Sequence, residues 1–557
     1  MILVQNKQVA GGILLQSADP AVRTAGEMLA DYMQKISGAR FSFCENEENP
    51  VAFRLCVDQS LGEEELLCYA EDGVVTVSGG SGRAVIYGVV AFLESLGCVF
   101  YAQDCEKIPQ TDTVELADDF SLRDAPAMEY RDLYWSCSYA PEISVKLRVN
   151  GSVNREHRNL TPEWGGGVTY AGPQFVHTFE CLVPAEEFFE DHPEYFSEID
   201  GQRTAKHLYS QLCMTNEDVY HIVLSRLRNW LNENPEAKIV SLSQNDSFVI
   251  NSYCTCPSCR RIIEEEGSPM GPLIRFVNRV AEALEPDYPE VAVDTLAYQY
   301  SIPAPRLTAP RRNVIVRFCT GACAAHSIRN CERYRGMHDS LVAWGKICHR
   351  MYIWDYTTDF AHYLTPFPNI DYLADHVRFF YENGARGMFM QGMYQNGLPG
   401  GFGELRCYLL AKLLWNPTVE QRPLEEDFCR AYYGEAAEDV LAYLDLMHRL
   451  VASDGRHFTL VMAPSAIFEG LIDDAMLGQI DALWQSALQK VAEKPEFLAH
   501  VRRSGLTWRY YKLDAKRGEF ADAQTFEAEK SRFFADCAAL GVERINEGAD
   551  IPPVEVS

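Results

Sequence analysis

From about residue 128 the chain repeats one pattern: a short apolar run, a polar break, then apolar residues at every third or fourth position. Short runs of the first kind lie at 128–135, 212–215, 239–246, 291–300, 313–320, 351–356 and 387–391, and helical spacing occupies 218–230, 272–284, 327–348 and 372–383. Strands alternating with helices build a parallel sheet, and about eight such units over this length fit a (β/α)8 barrel better than an open sheet. One strand, near 145–180, has no clear pattern, and 160–178, with Trp164 and Gly165-Gly-Gly167, reads as a long surface loop. Ahead of this region the period differs. Apolar runs near 13–16 and 51–57, a hairpin pattern around Asp72-Gly73 and helical spacing at 21–36 and 83–96 predict a small α/β domain. The turn Gly79-Gly80-Ser81-Gly82 lacks the Lys-Ser/Thr of a phosphate-binding loop and reads as a tight turn. After Asn416-Pro417 the spacing is helical at 425–432, 436–450, 473–491, 496–514 and 521–540. The predicted class is therefore α/β: a small α/β domain over 1–124, a (β/α)8 TIM barrel over 125–417 and an α-helical domain over 418–557.

Composition narrows the function classes. A formal charge of −29 repels phosphate backbones and anionic surfaces, which excludes nucleic acid and membrane as partners. No apolar run is long enough to span a bilayer, and Met1-Ile-Leu-Val-Gln-Asn-Lys7 lacks the basic start and apolar core of a secretory signal, so the expected location is cytoplasmic. The 18 cysteines are scattered as in a chain that keeps reduced thiols. Aromatic residues make up 11% of the chain, and flat rings suit sugar faces as well as cores.

Several strand ends join polar and aromatic groups. One runs into Gln244-Asn245-Asp246, one into Tyr298 and Tyr300, one into Trp354-Asp355-Tyr356 and one into Gln391. In a barrel these ends meet at one mouth. Two carboxyl groups beside an aromatic platform are what glycoside hydrolysis needs, one to protonate the leaving oxygen and one to attack, activate water or stabilise developing positive charge. Asp246 and Asp355 are the candidates, and Asp294, inside its strand, reads as a buried acid. Arg148, Asn150 and His177 could hydrogen-bond a sugar, with Asn245, Tyr298, Trp354, Tyr356 and Gln391 around them. Cys254, Cys256 and Cys259 form a tight cluster, with Cys213 as a fourth ligand for a structural zinc; buried reduced thiols and a disulfide are the other readings.

The chain also resembles a bacterial carbohydrate-active family catalogued as a domain of unknown function and shared with the endo-β-N-acetylglucosaminidases of glycoside hydrolase family 163. The resemblance rests on Lys146-Leu-Arg148-Val-Asn150-Gly, His177-Thr-Phe, His192-Pro-Glu-Tyr-Phe-Ser-Glu-Ile-Asp-Gly201 and Gln211-Leu-Cys213-Met-Thr-Asn216, then on Ser243-Gln-Asn-Asp246, Tyr253-Cys-Thr-Cys-Pro-Ser-Cys259, Ile353-Trp-Asp-Tyr356 and Met390-Gln-Gly392. In front, Leu29-Ala-Asp-Tyr-Met-Gln-Lys-Ile-Ser-Gly38 and Tyr87-Gly-Val-Val-Ala-Phe-Leu-Glu94 resemble the small domain preceding hexosaminidase and α-glucuronidase barrels. The resemblance implies a glycoside hydrolase acting on N-acetylhexosamine-containing oligosaccharides, with Asp246 as general acid, Asp355 as its partner and no organic cofactor. It departs from the hexosaminidase pattern at Asn245-Asp246, which holds one carboxylate where that pattern has an Asp–Glu pair. An α-glucuronidase-like or sialidase-like enzyme, with Arg148 on an acidic sugar, and a non-catalytic sugar-binding barrel are the alternatives; a homo-oligomer stays open.

Overall fold

The computed structural model describes residues 1–151, 160–205, 211–247, 251–321, 323, 325–393, 397–519 and 521–551. Its centre is a seven-stranded sheet in which every pairing is parallel. In chain order the strands are β1 (Tyr130–Tyr134), β2 (Tyr170–Ala171), β3 (Ile239–Ser241), β4 (Ala292–Ala297), β5 (Val314–Cys319), β6 (Arg350–Tyr356) and β7 (Ala385–Gln391). Their order across the sheet is β1-β7-β6-β5-β4-β3-β2, so β1 and β2 are its edges. The edges meet through Asn150 and Gly151. Both amides donate to the Arg131 carbonyl at 3.1 Å, the Val168 amide donates to Asn150 O at 2.8 Å, and Gly151 bridges Val168 in parallel. Gly151 is required here, because a Cβ would meet the Asp132 carboxylate at 2.2–2.3 Å. The sheet thus curls until its two margins share a two-residue segment; that segment and β2 both lie in the stretch near 145–180 that the sequence pattern did not resolve, and β2 interrupts the loop expected over 160–178.

Other expectations shift. Residues 212–215 form no strand; Leu212 only bridges Phe196, and the segment serves a cysteine cluster. β3 stops at Ser241, leaving 242–246 as extended chain with polar contacts. The helix expected over 327–348 is confined to Arg335–Gly345, because a one-turn helix and a loop precede it. A one-turn helix at Gln299–Ser301, and no α-helix among the described residues, separates β4 from β5.

The front segment holds a six-stranded mixed sheet packed by helices α1 (Pro20–Ser37) and α2 (Gly82–Ser95). Asp19 caps α1 by accepting the Ala21 amide, and Gly38 at φ +70° ends it in the left-handed region that only glycine adopts without strain. The Gly-Gly-Ser-Gly turn is a packing device. Ser81 caps α2, and a Cβ on Gly80 would lie 1.9 Å from the Gly62 carbonyl. After β7 comes α3 (Gly403–Trp415), followed by α4 (Gln421–Tyr433), α5 (Ala437–Ala452), α6 (Asp474–Lys490), α7 (Pro495–Ala515) and α8 (Ala523–Ala539). Beyond them the chain makes a hairpin, Arg544–Asn546 against Ala549–Asp550, that docks back on the barrel: Tyr363 N donates to Ile545 O at 2.8 Å and Glu547 N to Phe360 O at 2.9 Å. No helix among the described residues is long and apolar enough to cross a membrane.

Glu64 joins the front segment to the barrel wall. Its carboxylate lies 2.6 Å from Arg131 Nη1 and 2.8 Å from Arg83 Nε, and it accepts Asn150 Nδ2 at 3.0 Å. Burial alone would raise its proton affinity, but the Arg131 and Arg83 charges overcome this and bring the carboxyl down to about 2. A depressed pKa adds stability above the ordinary value of 4.5, and that stability fades as pH falls toward about 2. Glu64→Gln should therefore cost about 3 kcal/mol at neutral pH. Urea unfolding at stepped pH checks this: the gap to wild type should narrow below about 4.5 and close near about 2.

Candidate active site

Alternate residues of each barrel strand face inward. The lower interior is apolar and aromatic, with Tyr130, Tyr170, Ile239, Ala292, Ile315 and Tyr352 in one cluster that reaches up to Phe389. Above it Arg317 pairs with Asp294 at 2.9 Å, and Tyr170 donates its hydroxyl to the same carboxylate at 2.8 Å. The guanidinium also lies 5.3–5.8 Å from the Tyr130, Tyr170 and Tyr352 ring centroids. Burial keeps the Asp294 carboxyl above its usual range despite Arg317. Asp294 is thus the buried acid its position inside a strand suggested, and the group forms a floor.

The next inner positions form the mouth. Trp354 stacks on Phe175, with centroids 5.6 Å apart and planes 21° apart, and meets Phe389 edge-on at 4.7 Å. Its indole N–H donates to Gln391 Oε1 at 2.7 Å, and Gln391 Nε2 in turn lies 3.4 Å from Glu547 Oε1. Tyr356 sits two residues along the same strand face, its ring 6.2 Å from Trp354. Opposite, the Tyr298 hydroxyl donates to Asp246 Oδ1 at 3.2 Å, and the His177 ring lies 6.1 Å from the Tyr298 ring. His177 is held in a left-handed turn, φ +55°, by a 2.8 Å bond from its amide to Ser243 Oγ and one from Nδ1 to Gln244 O.

Glu547 is the residue that sequence reasoning missed. It stands at the tip of the C-terminal hairpin, open to solvent on one side and facing the mouth on the other. Partial desolvation by the wall raises its proton affinity, and the negative charge of Asp246 raises it further. The mouth thus has two carboxyl groups on its rim, Asp246 under the Tyr298 hydroxyl on β3's extension and Glu547 beside Gln391 from the C-terminal hairpin. No local sequence signal marks Glu547; Asn546-Glu547-Gly548 looks like any polar turn.

Other candidates lie elsewhere. Asp355 occupies the opposite face of β6 from Trp354 and Tyr356, because neighbours in a strand point to opposite sides. It is almost fully buried, accepts the Thr320 hydroxyl at 2.6 Å and lies 3.7 Å from His376 Nδ1 on the outer helix Leu373–Glu382. It is thus outside the mouth. Arg148 also turns away, pairing with Glu94 of α2 and covering the Trp415 ring at 5.0 Å. Asn150 spends its amide on Arg131 N, Glu129 O and Glu64, closing the sheet. Asn245 backs the site: its side chain accepts the Glu180 amide at 3.0 Å, while its backbone exchanges hydrogen bonds with Gln211.

Cys213, Cys254, Cys256 and Cys259 converge behind Asp246, all four buried, with every sulfur within 4.8 Å of the others. Cys213 lies 3.8 Å from Cys256 and 3.9 Å from Cys259. Four sulfurs at about 2.3 Å from a tetrahedral zinc would be about 3.8 Å apart, so the donor set fits that ion. The Glu198 amide points at Cys254 Sγ at 3.4 Å, and Cys259 lies in the first turn of helix Pro257–Glu266, both of which favour thiolate.

The family described as Domain of unknown function (DUF4838) matches residues 100–445, more than half of the chain. No curated protein sequence matches. Among solved structures, the chain is similar to a family GH115 4-O-methyl-α-glucuronidase with specificity for decorated arabinogalactans, at 12% identity and a TM-score of 0.59, over 97% of this chain and 76% of that one. It is also similar to a family 89 glycoside hydrolase from Clostridium perfringens in complex with 2-acetamido-1,2-dideoxynojirmycin, at 10% identity and a TM-score of 0.50, over 94% of this chain and 66% of that one. At such identities the likeness establishes a shared fold.

The coupling in the mouth can be measured. Removing the Asp246 charge in Asp246→Asn should lower the Glu547 pKa toward the carboxylate norm, leaving the part due to desolvation. Carboxyl-carbon NMR of glutamate-labelled protein, assigned by loss of a signal in Glu547→Gln, reads the shift; an unmoved titration would show that the two groups do not interact.

Proposed function

The chain belongs to this domain-of-unknown-function family, and we propose that it is a glycoside hydrolase acting on oligosaccharides that contain N-acetylhexosamine. The observation that carries the reading is the pair Asp246 and Glu547 at a mouth walled by Trp354, Phe175 and Tyr356. Aromatic faces offer the apolar side of a pyranose a stacking surface, and Gln391, Tyr298 and His177 offer polar groups beside it. The curled parallel sheet of seven strands, its margins joined at residues 150–151, supports reading the fold as a (β/α)8-type barrel, whose strand C-termini are where such folds keep their chemistry.

In the proposed reaction Glu547 is the proton donor, since desolvation and the Asp246 charge raise its proton affinity. It protonates the glycosidic oxygen as the bond to the anomeric carbon breaks. Asp246 faces the developing positive charge and either stabilises it or directs water or an acetamido oxygen to that carbon. This reverses the role the resemblance gave Asp246 and replaces Asp355 as the second carboxylate. Asp355 becomes a positioning residue that ties β6 to Thr320 and the outer helix. We further propose that Cys213, Cys254, Cys256 and Cys259 bind a structural zinc that fixes the chain following Asp246.

An acidic sugar is the second reading, consistent with the glucuronidase named among the similar structures. It relied on Arg148, and that guanidinium is already committed to Glu94. A non-catalytic sugar-binding barrel is the reading from a different class, and only turnover separates it from the first.

On an N-acetylhexosamine-containing oligosaccharide, Asp246→Asn and Glu547→Gln should each lower kcat/KM by about 10²–10⁴ with unchanged thermal midpoints. An aryl glycoside whose leaving group needs no proton should restore Glu547→Gln but not Asp246→Asn. Asp355→Asn should lose stability alongside activity. Near-normal turnover in both mouth variants would overturn the assignment, and wild-type binding of sugars without any turnover would favour the binding protein.

A further inference from the structure

A second cluster of metal-ligating side chains lies outside the mouth and outside the four-cysteine group. We propose that Cys323, His326, Cys331 and His457 form a second structural zinc site, which clamps the loop after β5 to the segment following α5. The four ligand atoms lie within 4.8 Å of one another, both cysteines buried and both histidines half-buried. Cys323 Sγ is 3.4 Å from His326 Nδ1, and Cys331 Sγ is 3.4 Å from His457 Nδ1. A zinc with sulfur at about 2.3 Å and nitrogen at about 2.0 Å in a tetrahedron sets sulfur and nitrogen about 3.5 Å apart.

Two isolated thiol–imidazole hydrogen bonds would account for each 3.4 Å contact singly. They give no reason for the pairs to converge: the rings of His326 and His457 are 4.9 Å apart and tilted at 46°, neither stacked nor edge-on, with one nitrogen of each within 4.8 Å of the other and of both sulfurs. Backbone donors from both segments converge on the Cys323 sulfur. The Ala325 amide donates to its sulfur at 3.4 Å, and a backbone hydrogen bond from Phe458 reaches it from the other segment. Two thiolates and two neutral imidazoles neutralise a divalent cation and fill its tetrahedron, leaving no open position for substrate, so the role is structural. Soft sulfur with imidazole selects zinc over magnesium or calcium.

Three ligands come from one loop as Cys-x2-His-x4-Cys and the fourth lies more than a hundred residues later, so the ion would cross-link parts of the chain with no other covalent tie. The segment it holds continues directly into contacts beneath the hairpin. Leu460 O accepts the Phe360 amide at 2.7 Å, and the Met462 amide donates to Asp359 Oδ2 at 2.9 Å.

Full-length protein purified with zinc and dialysed against metal-free buffer should hold about two zinc ions per chain by elemental mass spectrometry, one for each tetrahedral donor set. Cys256→Ser should remove one and His457→Gln the other. Zinc X-ray absorption on the wild type, which needs no variant, should average about three sulfurs and one nitrogen per ion. His457→Cys, which keeps four ligands, should retain the metal with a more sulfur-rich first shell. An all-sulfur shell in the wild type, a zinc content unchanged by His457→Gln, or a Cys323–Cys331 disulfide in the native protein would each overturn the proposal.

Discussion

Arg317 and Asp294 sit inside the curled sheet with no exposed side-chain surface. Taking two such charges out of water costs several kcal/mol each, and their attraction offsets this only when further partners supply what water would have given. Those partners come from around the barrel: the Tyr170 hydroxyl from the edge strand β2, and ring faces from β1 and β6. Arg317 Nη1 and Asp294 Oδ1 still lack hydrogen-bond partners among the described residues, so the cluster tolerates little further loss. The ion pair therefore holds β4, β5 and the short edge strand in one register across the interior. Everything in the mouth stands on the layer above, so the direction of Trp354, Tyr356 and Tyr298 follows from it.

The same alternation explains what could be read in the sequence. Once 351–356 is a barrel strand, Tyr352, Trp354 and Tyr356 share a face, and Asp355 cannot join them there. The triplet Trp354-Asp355-Tyr356 suggested a carboxylate between two aromatics because adjacency in sequence looks like adjacency in space; in a strand it means opposite sides. Asp246 escaped this trap since the chain has left the sheet by Ser241 and alternation no longer governs it. The barrel region, the front sheet and the C-terminal helices were legible because long periodic stretches carry their own signal. Asn150 and Gly151 were not, because a two-residue stave has no period to detect, and Arg148 beside them was drawn to Glu94 by a front helix whose docking no local pattern encodes.

Cys213 joins the other three cysteines for a different reason than its sequence position suggests. The pattern places it at a strand end, yet Leu212 only bridges Phe196, and the Cys213 amide on Tyr195 O holds the cysteine where its sulfur lies 3.8 Å from Cys256 and 3.9 Å from Cys259. Three close cysteines advertise a fourth ligand. The second cluster carries no such advertisement, since its thiols are eight residues apart and its last imidazole lies beyond five α-helices among the described residues.

Glu547 shows most directly how position and chemistry are linked in this fold. Asp246 is delivered by a barrel strand, whereas Glu547 arrives by docking: its amide on Phe360 O, the neighbouring Ile545 carbonyl on Tyr363 N, and Phe360 in turn on Leu460. The wall that receives the hairpin is also what desolvates the carboxyl, and the closeness that results is what exposes it to the charge of Asp246. Proton affinity and placement therefore arise from one event. A hairpin displaced from the mouth would return the carboxyl toward its ordinary proton affinity, so in the proposed reaction the group would lose that raised affinity together with its position. A general acid mounted this way is armed only when the C-terminal segment is seated, whereas one built on a strand would stay in place regardless of it.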